Sequence, residues 1–235
     1  MAARLEAVAF DVADPSAVGA FWAGILGREV VDERDGVLVP GDEFQVGFRF
    51  TASHGEQIGR PWLHLHLAST DPDDQARIVE AALSRGAHYL DVGQEPDAPH
   101  VVLSDPGGNE LCVLEPGNNW MSGTGFVGEV TCDGTRDVGF FWRDALGWLL
   151  VWDEGDQTAI QSPVGGTKIS WDSWHRPGTE SRNARNRQRF ELVAADPSRE
   201  AERLVQLGAS RRAELSDGVM LADPDGNAFR LRSVP

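Results

Sequence analysis

The stretch Ala20-Phe-Trp-Ala-Gly-Ile-Leu-Gly-Arg returns 120 residues later as Phe140-Phe-Trp-Arg-Asp-Ala-Leu-Gly-Trp, pairing Trp22 with Trp142 and Gly27 with Gly147. An internal repeat of this kind says more about architecture than any single motif. A second pair keeps the register: Ser104-Asp-Pro-Gly-Gly-Asn-Glu-Leu-Cys-Val-Leu returns as Ala222-Asp-Pro-Asp-Gly-Asn-Ala-Phe-Arg-Leu-Arg. The copies span residues 5 to 115 and 126 to 233. Between them, Glu115-Pro-Gly-Asn-Asn-Trp-Met-Ser-Gly-Thr-Gly is rich in residues that favour turns. The expected organisation is a domain over 1–116, a linker over 117–123 and a second domain over 124–235. Trp120 and Met121 in the linker are expected to dock on a domain face.

The 235-residue length suits two units of that size, each with a modest core. Hydrophobic residues make up 41% and charged residues 25%, and no apolar run approaches the ~20 residues of a membrane span. Twenty-one Lys and Arg stand against 37 Asp and Glu, a net charge of −16 that repels phosphate backbones and anionic lipid, so neither a nucleic-acid nor a membrane partner is expected. Two cysteines, Cys112 and Cys132, and a start without a basic-then-apolar leader point to a reducing cytoplasm.

Each copy divides again into two units of strand, helix and further strands. Asp14-Pro15, Asp71-Pro72 and Asp196-Pro197 each supply an N-cap and a first-turn proline, and Asp133 or Thr135 opens the remaining helix. Gly27, Gly86, Gly147 and Gly208 stop the four helices. Gly19 and Gly24 weaken the first helix by about 1 kcal/mol each relative to alanine, so its aromatic face must be held by packing. In the strands, alternation separates Leu63, Leu65 and Leu67 from His64 and His66, and Phe44, Val46, Phe48 and Phe50 from Gln45, Gly47 and Arg49. It also sets Leu111 and Val113 against Glu110 and Cys112, and Val8, Phe10 and Val12 against Ala7, Ala9 and Asp11. With the apolar faces under the helices, the other faces of a curved sheet form a cup.

The Asp-Pro, helix, Phe-Trp, Leu-Gly run, the His64-Leu-His-Leu strand and the Asp105-Pro-Gly-Gly-Asn-Glu ending together resemble the vicinal oxygen chelate superfamily. That is the glyoxalase, bleomycin-resistance and extradiol-dioxygenase group. The resemblance implies an α+β fold of two tandem domains, each a pair of βαβββ modules whose curved mixed sheet forms a cup. Function varies widely on that fold, so the site is argued from its own residues.

In metal-dependent members, three or four His, Gln or Glu ligands project into the cup. The matching positions here are Ala7, Gly47, His64 and Cys112 in the first copy, and Val127, a residue near Ser170, Arg189 and Arg230 in the second. Arginine does not ligate a cation, so the second copy is expected to be metal-free. In the first, His64 and His66 lie roughly 6.5 to 7 Å apart along one strand face, a real His-X-His spacing, and Glu110 or Cys112 could complete a shell. Two well-placed ligands fall short of the usual three. The reading taken is therefore a ligand cup with no catalytic metal, a divalent ion at His64, His66 and Glu110 being the alternative.

The first-copy cup is assigned His64, His66, Glu110, Cys112, Gln45, Arg49 and Trp62. The second-copy cup is assigned Glu129, Arg189, Glu191 and Arg230, with Arg232 on the same face. Charges there either satisfy one another as a partly buried network or recognise a carboxylate or phosphate. His175 to Arg189 carries five arginines, Arg176, Arg182, Arg185, Arg187 and Arg189, against Glu180. It reads as solvated, or as paired with the acidic remainder. His54, His88 and His100 are read as surface residues. Trp22 and Trp142 are expected in the core, and Trp62, Trp152, Trp171 and Trp174 either rim a cup or fill the joint between copies. Cys112 as a nucleophile with His64 or His66 as base requires them to converge. The function expected is binding of a small drug or metabolite by a monomer or homodimer, with a metal-dependent lyase, isomerase or dioxygenase as the competitor.

Overall fold

Four βαβββ modules follow one another in the computed structural model, which describes residues 3–53, 61–173 and 187–234. The first runs β1 (Arg4–Val12), α1 (Pro15–Leu26), β2 (Val31–Glu33), β3 (Gly36–Val39) and β4 (Gly47–Ala52). The second runs β5 (Leu63–Leu67), α2 (Pro72–Ser84), β6 (His88–Tyr89), β7 (Val101–Ser104) and β8 (Glu110–Val113). After a 3-10 turn at Asn119–Met121 come β9 (Val127–Asp133), α3 (Arg136–Leu146), β10 (Leu149–Glu154), β11 (Gln157–Gln161) and β12 (Lys168–Asp172). The last module is β13 (Gln188–Ala194), α4 (Pro197–Gln206), β14 (Ser210–Leu215), β15 (Gly218–Ala222) and β16 (Ala228–Ser233).

The helix ends follow from their caps. Asp14, Asp71 and Asp196 accept backbone N–H bonds from Ala17, Asp74 and Arg199, and Gly27 and Gly147 close α1 and α3 in the left-handed region. Thr135 precedes α3 without a side-chain cap bond. Its amide and hydroxyl donate instead to Asp225, at 2.6 and 2.9 Å, in the Asp-Pro-Asp-Gly-Asn turn. Glycine within α1 and α3 has a packing reason. A β-carbon at Gly19 would lie 2.4 Å from Val37 Cγ2, and one at the equivalent Gly139 would lie 2.0 Å from Thr158 Oγ1, so both helices press directly on a strand.

Trp22 and Trp142 are fully buried, as the repeat predicts: Trp22 is edge-on to Phe48 of the sheet beneath α1, and Trp142 reaches Phe190 and Phe229 of the opposite sheet. Their indole N–H groups donate to Asp105 at 2.8 Å and Asp223 at 3.2 Å, the aspartates that open the two Asp-Pro-X-Gly-Asn turns. The two motifs of the repeat are thus one device: a helix of each half is bonded to the turn that closes the same half.

The sheets cross the halves. One has the order β14-β15-β16-β13-β1-β4-β3-β2 and joins the first module to the fourth; the other, β10-β11-β12-β9-β5-β8-β7-β6, joins the second to the third. The seams are antiparallel, with Val8 opposite Phe190 in one and Leu65 opposite Val130 in the other. Each concave face therefore draws on both halves, which corrects the assignment of one cup to each copy. Alternation fixes which way a side chain points but carries no information about which distant strand lies alongside.

Candidate functional site

The first cup, on the sheet of β1, β4, β13 and β16, is filled by charge. Arg49 on β4 donates to Glu33 at 2.7 Å and to Glu6 at 2.9 Å, and its other terminal nitrogen lies 3.5 Å from Glu191. Arg189 bridges Asp11 at 2.6 Å and Glu191 at 2.8 Å, and Arg232 pairs with Glu6. Glu191 is wholly buried and Arg49 is 2% exposed. Burial alone would discharge these groups. Hydrogen bonds and charge from Glu33, Glu191 and Glu6 outweigh it to raise Arg49, while Arg49 and Arg232 hold Glu6 below its ordinary range. Arg230 turns aside to Asp217 at 2.6 Å. The arginines expected to greet an anion are engaged by the protein's own carboxylates.

Two predicted cup residues belong elsewhere. Arg49 is separated from His64 and His66 because β4 and β5 lie in different sheets. Gln45 precedes β4 in a turn organised by Asp42, and its amide donates to the Thr124 carbonyl at 2.7 Å while accepting from the Val127 amide at 2.7 Å. It ties the first half to the entry of β9. Alternation does not extend to Gln45 and Phe44 because the chain is not yet a strand there.

The second cup is open. A cavity of about 700 Å³ lies on the concave face of the sheet of β5, β8, β9 and β12. Trp62, His64 and His66 enter it from the first half together with Glu110 and Cys112, and Glu129, Thr131 and Ser170 from the second. The register brings His66 level with Cys112 on one neighbour and with Glu129 on the other. His66 Nδ1 lies 2.7 Å from Glu129 Oε2, and the Trp120 indole donates to Glu129 Oε1 at 2.7 Å. Trp120 also meets Trp152 edge-on at 5.5 Å. The linker residue expected to dock on a face thus becomes part of the cavity wall.

Electrostatics lock the centre of this cup into a charged pair. Burial works against a protonated His66, but hydrogen bonds and charge from Cys112 and Glu129 prevail and push it up to about 10. Burial likewise opposes ionised Glu129, yet His66, Ser170 and Trp120 bring it down to about 2. Around the pair, Asp91, Glu110, Glu115, Asp133 and Asp172 line the cavity, and no Lys or Arg does so among the described residues.

His64, His66 and Cys112 offer two imidazole nitrogens and a sulfur within 4.8 Å of one another. Cys112, not Glu110, completes this set: it stands level with His66 in the ladder, whereas Glu110 pairs with Ser104 further along the strand. Two nitrogens and a sulfur suit a borderline cation of the zinc type better than a hard one, and Glu129 behind His66 is the sort of partner that orients a ligating imidazole. Such a cation would have to displace protons from His66 and Cys112.

Sequence reasoning missed Glu129 and Trp120 as companions of His66, and His100, which lines the same cavity rather than free surface. Repeat alignment holds a signal for Glu129, on the first strand of its module as His66 is on its own, but only the sheet order unites them. His54, Trp174, Arg176, Arg182 and Arg185 lie outside the described residues.

Paired βαβββ modules with a concave site between them define the class of fold. A glyoxalase-like domain model matches residues 7–114 and again 128–232, and the chain belongs to that family. Glyoxalase I from Zea mays has the same fold at a TM-score of 0.67 and 16% identity, over 98% of this chain and 92% of that one. A glyoxalase/bleomycin resistance protein/dioxygenase family enzyme from Burkholderia phytofirmans PsJN matches 47% of this chain and 96% of its own, at 17% identity and a TM-score of 0.37. Among curated proteins none matches by sequence. No helix among the described residues is long and apolar enough to cross a membrane.

Proposed function

We propose that the second cup binds a small cationic molecule with a flat, aromatic part, and that the first cup serves only to hold its sheet together. One observation carries this reading: an open cavity of about 700 Å³ whose described lining combines Trp62, Trp120 and Trp152 with five carboxyl groups around the His66–Glu129 pair, and no Lys or Arg. Indole faces attract cations, by about 0.5 to 2 kcal/mol according to how dry the site is. The acidic chain concentrates cations near the mouth before contact. Binding without turnover, as in sequestration of a drug or metabolite in a reducing cytoplasm, is the simplest use of such a cup. With every module partner supplied by one chain, a monomer is the expected form.

Thermal shift with matched cationic, neutral and anionic aromatic compounds tests this directly. Cationic members should stabilise the protein, by about 2.7 kcal/mol at a hundredfold excess over Kd. Equal response to anionic members would end the proposal. The second reading, a metal-dependent enzyme, rests on the convergence of His64, His66 and Cys112. Elemental analysis of protein purified without chelator should then find a stoichiometric metal that His64→Ala loses.

A further inference from the structure

We infer that Lys168 and Trp120 together decide which charge the second cup accepts: Trp120 holds this lysine out of a cavity that it is otherwise placed to enter, and so keeps the cup open to cations. The inference rests on the cup-binding reading for its ligand, while the restraint on the lysine is tested without one. Lys168 is the single lysine among the chain's 21 Lys and Arg residues. The ladder gives it a place in the cup. β12 runs parallel to β9, with Lys168 level with Glu129, Ser170 with Thr131 and Asp172 with Asp133. Successive residues of a strand point to opposite faces, so Lys168 leaves β12 on the same side as Ser170 and Asp172, and both of those line the cavity. Attraction makes Glu129, the carboxylate level with it, the partner expected of its ammonium.

The structure has a different arrangement. Lys168 does not line the cavity. Its Nζ donates to the Trp120 carbonyl at 2.6 Å and lies 4.8 Å from the centre of the Trp120 ring. The indole N–H of the same Trp120 donates to Glu129 Oε1 at 2.7 Å, and Glu129 Oε2 faces His66. One residue thus stands between two opposite charges that the ladder sets side by side, taking the ammonium on its carbonyl and ring and the carboxylate on its N–H. The linker around Trp120 is anchored on both sides. The Asn118 side chain accepts from the Trp120 amide at 2.9 Å and donates to Glu115 at 2.8 Å. Met121 is buried with Val102, Cys112 and Leu114, and the Thr124 hydroxyl donates to its carbonyl at 2.8 Å.

The consequence is one of charge. With Lys168 held aside, carboxyl groups surround the His66–Glu129 pair in the described lining. Released, the flexible stem of a lysine returns the ammonium to the position level with Glu129, where it repels a cationic ligand and gives an anionic one a partner.

Amine labelling of the full chain reads the restraint. Because there is one lysine, acetylation by sulfosuccinimidyl acetate followed by peptide mass spectrometry reports the ε-amine of Lys168 alone. The parent should react at least about tenfold more slowly than Nα-acetyl-lysine amide, and Trp120→Ala should recover most of that factor. Phenyltrimethylammonium and benzoate, similar in size and opposite in charge, read the consequence by calorimetric titration. The parent should prefer the cation, and Trp120→Ala should lose at least about tenfold of that preference. Lys168→Met should raise the preference at least about tenfold more in Trp120→Ala than in the parent, a coupling that loss of an aromatic wall does not produce. A lysine that reacts at the free rate in the parent, or equal effects of Lys168→Met in the two backgrounds, would overturn the inference. Should Trp120→Ala fail to fold, labelling of the parent still decides whether the lysine is held. If the parent binds the cation and the coupling is absent, this inference fails alone; if the parent binds neither probe, the cup reading fails and the charge preference with it.

Discussion

The two cups are built from the same module and have opposite contents. In the first, Arg49, Arg189 and Arg232 reach across the concave face to Glu6, Glu33, Glu191 and Asp11, and long side chains occupy the space. In the second, the corresponding strands carry His66, Cys112, Glu129, Thr131 and Ser170, shorter groups that leave a cavity. The helix-facing side of both sheets is conventional: Phe10, Phe48, Phe190 and Phe229 in one, Leu65, Leu111, Val130 and Ile169 in the other, all buried. The two sheets are thus alike on the side that holds the fold and differ on the other, one closed by ion pairs and one leaving a cavity. Because buried charges must be matched, the first cup is sensitive to loss of any partner, and the second only at its His66–Glu129 pair.

Arg49→Ala should have the largest effect, about 3 to 5 kcal/mol in urea unfolding, because it takes the shared cation from three carboxylates, leaving Glu6 and Glu191 to Arg232 and Arg189 and Glu33 without it. Replacing Arg49, Arg232, Glu6 and Glu191 together by apolar residues of similar volume, which leaves Arg189 on Asp11, should restore much of that, and failure to do so would mean that the network does more than match charge. His66→Gln leaves Glu129 buried with a weaker partner and should cost about 2 kcal/mol. Gly19→Ala and Gly139→Ala, at equivalent points of the repeat, should each cost about 1 to 3 kcal/mol by forcing the helix off Val37 or Thr158. A large difference between them would show that the two helix contacts are no longer equivalent. Trp152→Ala, at the exposed wall of the cavity, should weaken cationic ligand binding by about 1 kcal/mol with little change at the first cup, measured by calorimetric titration.

The cups should also part company in pH. His66 titrates near 6.5 when unfolded and at about 10 when folded, so its contribution is complete below about 6.5 and is lost as pH rises towards 10. Glu129, at about 2 against an ordinary 4.5, contributes fully above about 4.5 and loses this as pH falls towards 2. Between the two cups, the alkaline limb belongs to the second, since the arginines of the first keep their protons throughout that range, and buried Cys132, pushed well up, adds to it above about pH 9. His66→Gln should remove the decline in stability between about pH 7 and 9. If the decline persists unchanged, the His66–Glu129 pair is not its source.

Much of the fold was legible because its signals are local. Asp-Pro caps, glycine stops and the Leu-His-Leu-His-Leu alternation report on backbone geometry within a few residues, and the structure has them where the chain indicates. Of the site, His64, His66, Glu110, Cys112 and Trp62 do line one cavity. Arg49 and Gln45 do not share it, and Glu129 joins it from the other half, because each of these placements depends on a strand or loop far away in sequence.

By itself the sequence determined four modules, the side of each strand that faces a helix and the equivalence of the halves, since period, capping and repetition are properties of neighbouring residues. Only the tertiary structure decided that β5 lies beside β9 and β1 beside β13. Backbone hydrogen bonds are the same for any pair of strands, so the choice of neighbour falls to how whole modules pack. That choice brought an imidazole, a thiol and a carboxylate together in one cup and left the other closed by its own salt bridges.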